Sequence, residues 1–195
     1  MAGPDTVRGT PPRFVALDRD GTVIVERFHH LAEPDEVELI PGAIEGLREL
    51  NVLGLGLVVI TNQSAVGRGN LDQDRLEAVH QRLRSLLASG GIQLSGIFVC
   101  PHTPDDGCFC RKPRPGLLES AARQFGVSPA SSFVIGDKAS DIECGRRVGA
   151  TTVLVRTGYG AQVAKEGTAT PDYTVNSLVE AAEVIQRVIR EIQLR

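Results

Sequence analysis

Runs of apolar residues that stop abruptly in polar groups recur along this chain. Phe14–Leu17 ends in Asp18-Arg19-Asp20-Gly21-Thr22, and Leu57–Ile60 ends in Thr61-Asn62-Gln63-Ser64. Ile97–Val99 runs into a cysteine-rich loop, Ser132–Ile135 ends in Gly136-Asp137-Lys138, and Thr151–Val155 makes a fifth run. Short, unbroken apolar runs rich in β-branched residues predict strands buried on both faces of a parallel sheet. Between them the period lengthens to that of helices. Pro41-Gly42 opens a stripe of Ile44, Leu47 and Leu50 that Gly54 and Gly56 close. Asp72 caps a helix striped by Leu76, Val79, Leu83, Leu86 and Leu87, with His80 off the stripe and solvated. Arg114-Pro115-Gly116 starts a third, with Leu117, Leu118, Ala121, Ala122 and Phe125 on its buried side and Gly126 as its stop. Ser140–Glu143 fits a capping box for a helix through Val148, and Ser177–Glu180 fits another for a last helix striped by Leu178, Ala182, Ile185, Ile189 and Ile192. Strands alternating with helices predict a doubly wound α/β fold with a parallel sheet and right-handed crossovers.

Composition adds bounds. A chain of 195 residues with 42% hydrophobic and 23% charged residues can bury its own core, so residues 13–195 are expected to form one domain. Residues 1–12 are polar, carry Gly, Pro and Thr, and are expected to be a flexible arm without the apolar core of a signal peptide. The net charge of −3 gives no electrostatic case for nucleic acid, and no stretch approaches the ~20 apolar residues of a membrane span. A cytoplasmic monomer acting on a small molecule is the expectation.

The polar strand ends carry the chemistry. In an open α/β sheet the carboxyl ends of the strands face the ligand crevice. Asp18 and Asp20, two residues apart at such an end, repel each other unless a cation intervenes, and hard oxygens that suit Mg²⁺ also suit phosphate. Taken alone, an Asp-x-Asp-Gly turn is equally well a solvated acidic turn. The long connection Val23–Pro41 holds His29 and His30, either of which is a candidate for substrate contact. Cys100-Pro-His102, five residues, then Cys108-Phe-Cys110 offers three thiols and an imidazole within eleven residues. That donor set suits a closed tetrahedral Zn²⁺, with a redox cluster as the alternative, and Cys144 is read as a small buried helix residue.

Together these motifs match in order and type those of the haloacid dehalogenase-like phosphatases, which the chain resembles over residues 13–160. Leu17–Thr22 resembles the first motif, Ile60–Asn62 the second, Lys112 the third and Gly136–Asp141 the fourth. The resemblance implies that Asp18 is the nucleophile and Asp20 the general acid and base. It implies that Thr61, Asn62 and Lys112 hold the phosphoryl oxygens, and that Mg²⁺ is bound by Asp18, the main chain of Asp20, and Asp137. Lys138 is expected among the substrate-binding residues, with Asp141 orienting it or the waters of the metal. The cysteine loop followed by Arg111-Lys112-Pro113 resembles the subgroup with a zinc loop in place of a large cap. This implies Zn²⁺ on Cys100, His102, Cys108 and Cys110, and Arg111 at the mouth of the site. That subgroup contains histidinol-phosphate phosphatases and heptose-bisphosphate phosphatases. Within that subgroup the Asp137-Lys138 pair resembles the heptose enzymes, which implies the 7-phosphate of D-glycero-D-manno-heptose 1,7-bisphosphate as substrate, with histidinol phosphate the alternative. Val25-Glu26-Arg27 departs from the pattern often seen after the first motif. A binding protein on an inactive scaffold would need a broken motif, and none is broken.

Overall fold

The computed structural model of the chain describes residues 13–27 and 31–194; the expected arm over 1–12, together with His29 and His30, lies outside the described residues. Six parallel strands form one sheet among the described residues: β1 (Phe14–Leu17), β2 (Gly56–Asn62), β3 (Gly96–Cys100), β4 (Phe133–Gly136), β5 (Thr151–Val155) and β6 (Tyr173–Val175). Their spatial order is β3-β2-β1-β4-β5-β6. Seven α-helices accompany them: α1 (Ala43–Val52), α2 (Ser64–Gly67), α3 (Gln73–Ser89), α4 (Gly116–Phe125), α5 (Ala139–Arg147), α6 (Gly160–Glu166) and α7 (Leu178–Gln193). The doubly wound α/β expectation holds, with β6, α2 and α6 as elements the apolar pattern did not reveal.

The unbroken apolar run of β1 reflects helices on both sides of the sheet. Val15 and Leu17 point into a core completed by Leu47 and Leu50 of α1, Val79 and Leu83 of α3, and Ala182 and Ile185 of α7. Phe14 and Ala16 point the other way, against Leu118, Ala121 and Ala122 of α4 and Cys144 of α5. Alternation along a strand sends successive side chains to opposite faces, so a strand with two cores needs apolar residues at every position. Cys144 is fully buried there, as expected.

The strand order reverses at β1, which pairs with β2 on one side and β4 on the other. In such sheets the crevice outside the carboxyl ends at the reversal is where ligands bind. Asp18 follows β1 and Asp137 follows β4, and the Asp18 N–H donates to the Ile135 carbonyl at 2.9 Å, which holds the two strand ends together.

Helix starts agree with the sequence at Asp72, whose side chain accepts from the Arg75 N–H at 2.7 Å, and at Ser177, which accepts from Glu180 at 3.2 Å. The capping box expected at Ser140–Glu143 is displaced. The Lys138 N–H donates to the Asp141 carboxylate at 2.9 Å, so α5 starts two residues earlier and its cap is part of the strand-end turn.

His80 corrects a second expectation. It is buried, at 4% exposure, on the same side of α3 as Leu76 and Leu83. Its Nε2 lies 3.2 Å from Nη1 of Arg19, which is itself 1% exposed. An arginine only donates, so Nε2 accepts and the ring is neutral with its proton on Nδ1. Burial, then the neighbouring Arg19 charge, pushes His80 down to about 4 from the ordinary 6.5. A histidine whose pKa is lower in the folded than in the unfolded chain stabilises the fold above pH 6.5, and that stability is lost as pH falls towards 4. Urea denaturation should therefore show the wild-type protein losing roughly 2 kcal/mol more between pH 7 and pH 5 than His80→Gln, which has no titrating ring. Equal losses in the two proteins would remove His80 as the source.

Candidate active site

The crevice at the strand reversal is organised by one buried ammonium. Lys112 is 3% exposed, and its Nζ lies 2.8 Å from Asp18 Oδ1, 2.7 Å from Asp141 Oδ1 and 2.8 Å from the Ile60 carbonyl. Burial alone would push the Lys112 ammonium down, but the Asp141 and Asp18 carboxylates outweigh it and hold the pKa above its ordinary value. The backbone of Lys112 is fixed as well. Its N–H donates to Asn62 Oδ1 at 3.1 Å, and Asn62 Nδ2 donates back to its carbonyl at 3.0 Å. The Asn62 side chain is thus committed to placing Lys112.

Asp18, Asp137 and Asp141 form a fully buried cluster in which one oxygen of each lies within 4.8 Å of the others. Asp137 Oδ2 accepts from the Tyr159 N–H at 2.8 Å, while Oδ1 is buried with no hydrogen-bond partner among the described residues. Burial, then the adjacent Asp18 charge, pushes Asp137 up to about 8. Asp141 is also raised, by burial and by Asp18. Such a cluster has more negative charge than Lys112 balances, and an orphaned carboxylate oxygen in it is a donor for a hard cation. The residues present therefore fit Mg²⁺. Gly21 and Gly158, both at positive φ, bring bare backbone against the Asp137 carboxylate, and an added Cβ at either would collide with it.

Asp20 sits beside this cluster with its side chain 16% exposed. Its Oδ2 accepts from Arg19 Nε at 3.1 Å and Gln63 Nε2 at 2.9 Å, and its Oδ1 accepts from Arg19 Nη2 at 3.1 Å. Burial opposes ionisation of Asp20, but Arg19, Gln63 and Lys138 outweigh it and hold the carboxyl below its ordinary value. Gln63 also donates to the Thr61 hydroxyl at 2.8 Å. A cavity of about 170 Å³ opens over Asp20, lined among others by Asn62, Gln63, Ser64, Glu26 and Lys138. Lys138 reaches back 2.6 Å to Glu26 and lies 5.1 Å from the centre of the Tyr159 ring. Asp141, expected to orient Lys138 or the waters of the metal, accepts from the Lys138 backbone N–H and also holds the Lys112 ammonium.

Sγ of Cys100, Cys108 and Cys110 are 3.2–3.6 Å apart, and His102 Nδ1 lies 3.6 Å from Cys100 and 3.3 Å from Cys110. A tetrahedral ion with bonds of about 2.3 Å to sulfur places its sulfurs about 3.8 Å apart, so the four atoms converge as a closed metal set would. Burial pushes the Cys100 thiol up to about 12, and a metal would reverse this by stabilising the thiolate.

Arg111 stands apart from the cavity over Asp20. Its Nη1 donates to the His102 carbonyl at 3.2 Å, and it lines a second cavity of about 380 Å³ with Arg114 and Arg147. Sequence reasoning missed Arg19, Gln63, Glu26 and Tyr159. The first two flank motif residues and were visible as polar groups at strand ends, whereas Tyr159 reaches the crevice only through the fold. Among the described residues no helix is long and apolar enough to cross a membrane.

A HAD-hydrolase-like family model matches residues 109–181. The D-glycero-β-D-manno-heptose-1,7-bisphosphate 7-phosphatase of Pseudomonas aeruginosa is 41% identical over 149 residues, covering 76% of this chain and 84% of that one. The Escherichia coli enzyme of the same name is 37% identical over 182 residues, covering 89% and 93%. The crystal structure of a D,D-heptose 1,7-bisphosphate phosphatase from Bordetella bronchiseptica, complexed with magnesium and phosphate, superposes with a TM-score of 0.84 at 34% identity, covering 90% of this chain and 98% of that one. With relatives this similar over most of their length, the chain belongs to the haloacid dehalogenase-like hydrolases, beside the D-glycero-β-D-manno-heptose-1,7-bisphosphate 7-phosphatases.

Proposed function

We propose that this chain is a Mg²⁺-dependent phosphomonoesterase that removes the 7-phosphate of D-glycero-β-D-manno-heptose 1,7-bisphosphate through a phosphorylated Asp18. The observation that carries this reading is the placement of Lys112 between Asp18 and Asp141 beside the buried Asp137, whose Oδ1 has no hydrogen-bond partner among the described residues. Relatives named for that substrate supply the rest of the support.

Lys112 occupies Asp18 Oδ1, which leaves Oδ2 to attack phosphorus. A bond forms between Oδ2 and phosphorus as the ester bond to the sugar oxygen breaks, and that oxygen takes the proton that Asp20 carries into this step, its carboxyl having been protonated beside the bound phosphate anion. Asp20, now a carboxylate, removes a proton from water; the water attacks phosphorus and Asp18 leaves as a carboxylate. Lys112 and the hydroxyl of Thr61 balance charge on the transferred phosphoryl oxygens. Mg²⁺, held by Asp18, Asp137 and the Asp20 carbonyl, would screen the nucleophile from its anionic target. Zn²⁺ on Cys100, His102, Cys108 and Cys110 would fix the loop that carries Arg111 and Lys112.

The reading is tested with Asp18→Asn, which keeps the shape of the nucleophile and removes its charge. Its phosphate release from the heptose bisphosphate should fall at least a thousandfold with an unchanged circular dichroism spectrum. Wild-type protein should prefer that substrate to fructose 1,6-bisphosphate and histidinol phosphate. Normal turnover by Asp18→Asn would overturn the mechanism, and a preference for histidinol phosphate would overturn the substrate.

Metal removal should separate two roles. Brief EDTA treatment should stop activity, and added Mg²⁺ should restore it, because a few carboxylates and waters hold that ion loosely. Elemental analysis of the same EDTA-treated protein should still find one zinc per chain, since a closed thiolate site binds with an apparent ~10–16 kcal/mol. Protein prepared without chelator and free of zinc would refute the loop site.

The second phosphate, which is not cleaved, is assigned to Arg111 and the arginine-lined cavity it shares with Arg114 and Arg147. Binding energy from a remote group can position the reacting one. Arg111→Ala should lower kcat/KM for the bisphosphate at least tenfold, about 1.4 kcal/mol, and change simple monophosphates much less. Parallel losses on both would place Arg111 on the transferred phosphoryl group or the loop fold.

A further inference from the structure

The mechanism above makes no use of two buried groups next to Asp20. Arg19 is 1% exposed and His80 is 4% exposed, and burial of an arginine at this depth is rare unless each part of the guanidinium is engaged. All three guanidinium nitrogens are: Nε and Nη2 meet Oδ2 and Oδ1 of Asp20 at 3.1 Å, and Nη1 meets His80 Nε2 at 3.2 Å.

We propose that His80 and Arg19 are positioning residues that hold the Asp20 carboxylate in the orientation needed for proton transfer. The proposal rests on the reading of Asp20 as the acid and base. A clamp between neighbouring residues 19 and 20 alone would fix the two side chains to each other and leave the pair free to move together. His80 anchors the clamp to a second element, because α3 is held to the sheet by Val79, Leu83 and Leu87. Gln63 holds Asp20 from the other side.

The same contacts single out one oxygen. Each carboxylate oxygen offers two acceptor positions. Oδ2 uses both, on Arg19 Nε and Gln63 Nε2, whereas Oδ1 uses one, on Arg19 Nη2. Oδ1 of Asp20 is therefore the atom that gives the proton to the leaving oxygen and later takes one from water. Misplacing a catalytic group by about 1 Å can reduce rate by 10²-fold, so the anchor matters although it touches no substrate.

The test uses His80→Leu, His80→Gln and Arg19→Lys in the full chain, with kcat/KM measured on p-nitrophenyl phosphate and on heptose 1,7-bisphosphate, or on whichever alkyl phosphate wild type hydrolyses best. This parameter reports steps up to departure of the leaving group, and p-nitrophenolate departs without a proton. His80→Leu should lose at least tenfold on the alkyl ester and less than threefold on the aryl ester. Arg19→Lys, whose single ammonium cannot span three partners, should show the same split. His80→Gln keeps an acceptor near the position of Nε2 and should stay within threefold of wild type on both. Parallel losses on the two esters, or an unchanged ratio in Arg19→Lys, would overturn the proposal. Should His80→Leu fail to fold, Arg19→Lys and His80→Gln decide it. Failure of the functional reading would show separately, as a wild-type protein inactive on all these esters or an active Asp18→Asn.

Discussion

The ion contacts of Lys112 are the constraint on which the rest of the site depends. An ammonium with almost no solvent is tolerable only with its charge matched and its donors used, and Asp18, Asp141 and the Ile60 carbonyl do both. Removing either carboxylate would leave a poorly compensated buried charge, a loss of about 3–5 kcal/mol by general precedent. The pairing is also directional. Three segments distant in sequence must be brought together before Lys112 can be buried: the end of β1, the start of α5 and the loop after β3. The charge assigned above to the phosphoryl oxygens is thus the same charge that ties the crevice together.

The loop after β3 explains why a cluster of four donors that could hold a metal lies so close to Lys112. Lys112 follows Cys110 by two residues, and Asn62 grips its backbone from β2. The segment from Pro101 to Gly107 has a single 3₁₀ turn and little apolar side chain to bury, so it cannot fix its own geometry by packing. Four converging donors at one end and the Asn62 clamp at the other supply what packing does not. A lysine ammonium can then be delivered to Asp18 with little residual freedom, which is the preorganisation electrostatic catalysis requires.

How much of this was legible in the sequence depended on whether the signal was local. Asp18 and Asp137 were legible because each ends an apolar run, and a parallel sheet puts such ends on one edge. The convergence of Cys100, His102, Cys108 and Cys110 was legible from their clustering within eleven residues. Tyr159 was not, because it reaches Asp137 through its backbone N–H from the loop after β5, and the flanking Gly158 and Gly160 mark a turn without marking what that turn meets. Strand β6 was missed because its three residues leave only Val175 buried, too little to register as an apolar run. His80 was misread for a different reason. It follows Leu76 by four residues and precedes Leu83 by three, so helical geometry places it on the buried side. Polarity was allowed to overrule position.

That misreading bears on the site itself. A polar residue on the apolar side of a helix has to find a partner or disfavour the fold. The partner here is Arg19, which cannot point to solvent because it lies between two residues committed to the crevice. Burying a cation beside Asp20 has an electrostatic consequence that neither Asp18 nor Lys112 supplies. It fixes the orientation of the Asp20 carboxyl from the cavity wall and leaves one acceptor position on Oδ1 unused. The neutral His80 ring satisfies the last arginine donor without neutralising that charge, as a carboxylate in its place would have done. The two ends of the Asp-x-Asp pair are therefore held by different cations, Lys112 for Asp18 and Arg19 for Asp20. Their separate environments let two carboxylates two residues apart take unlike roles.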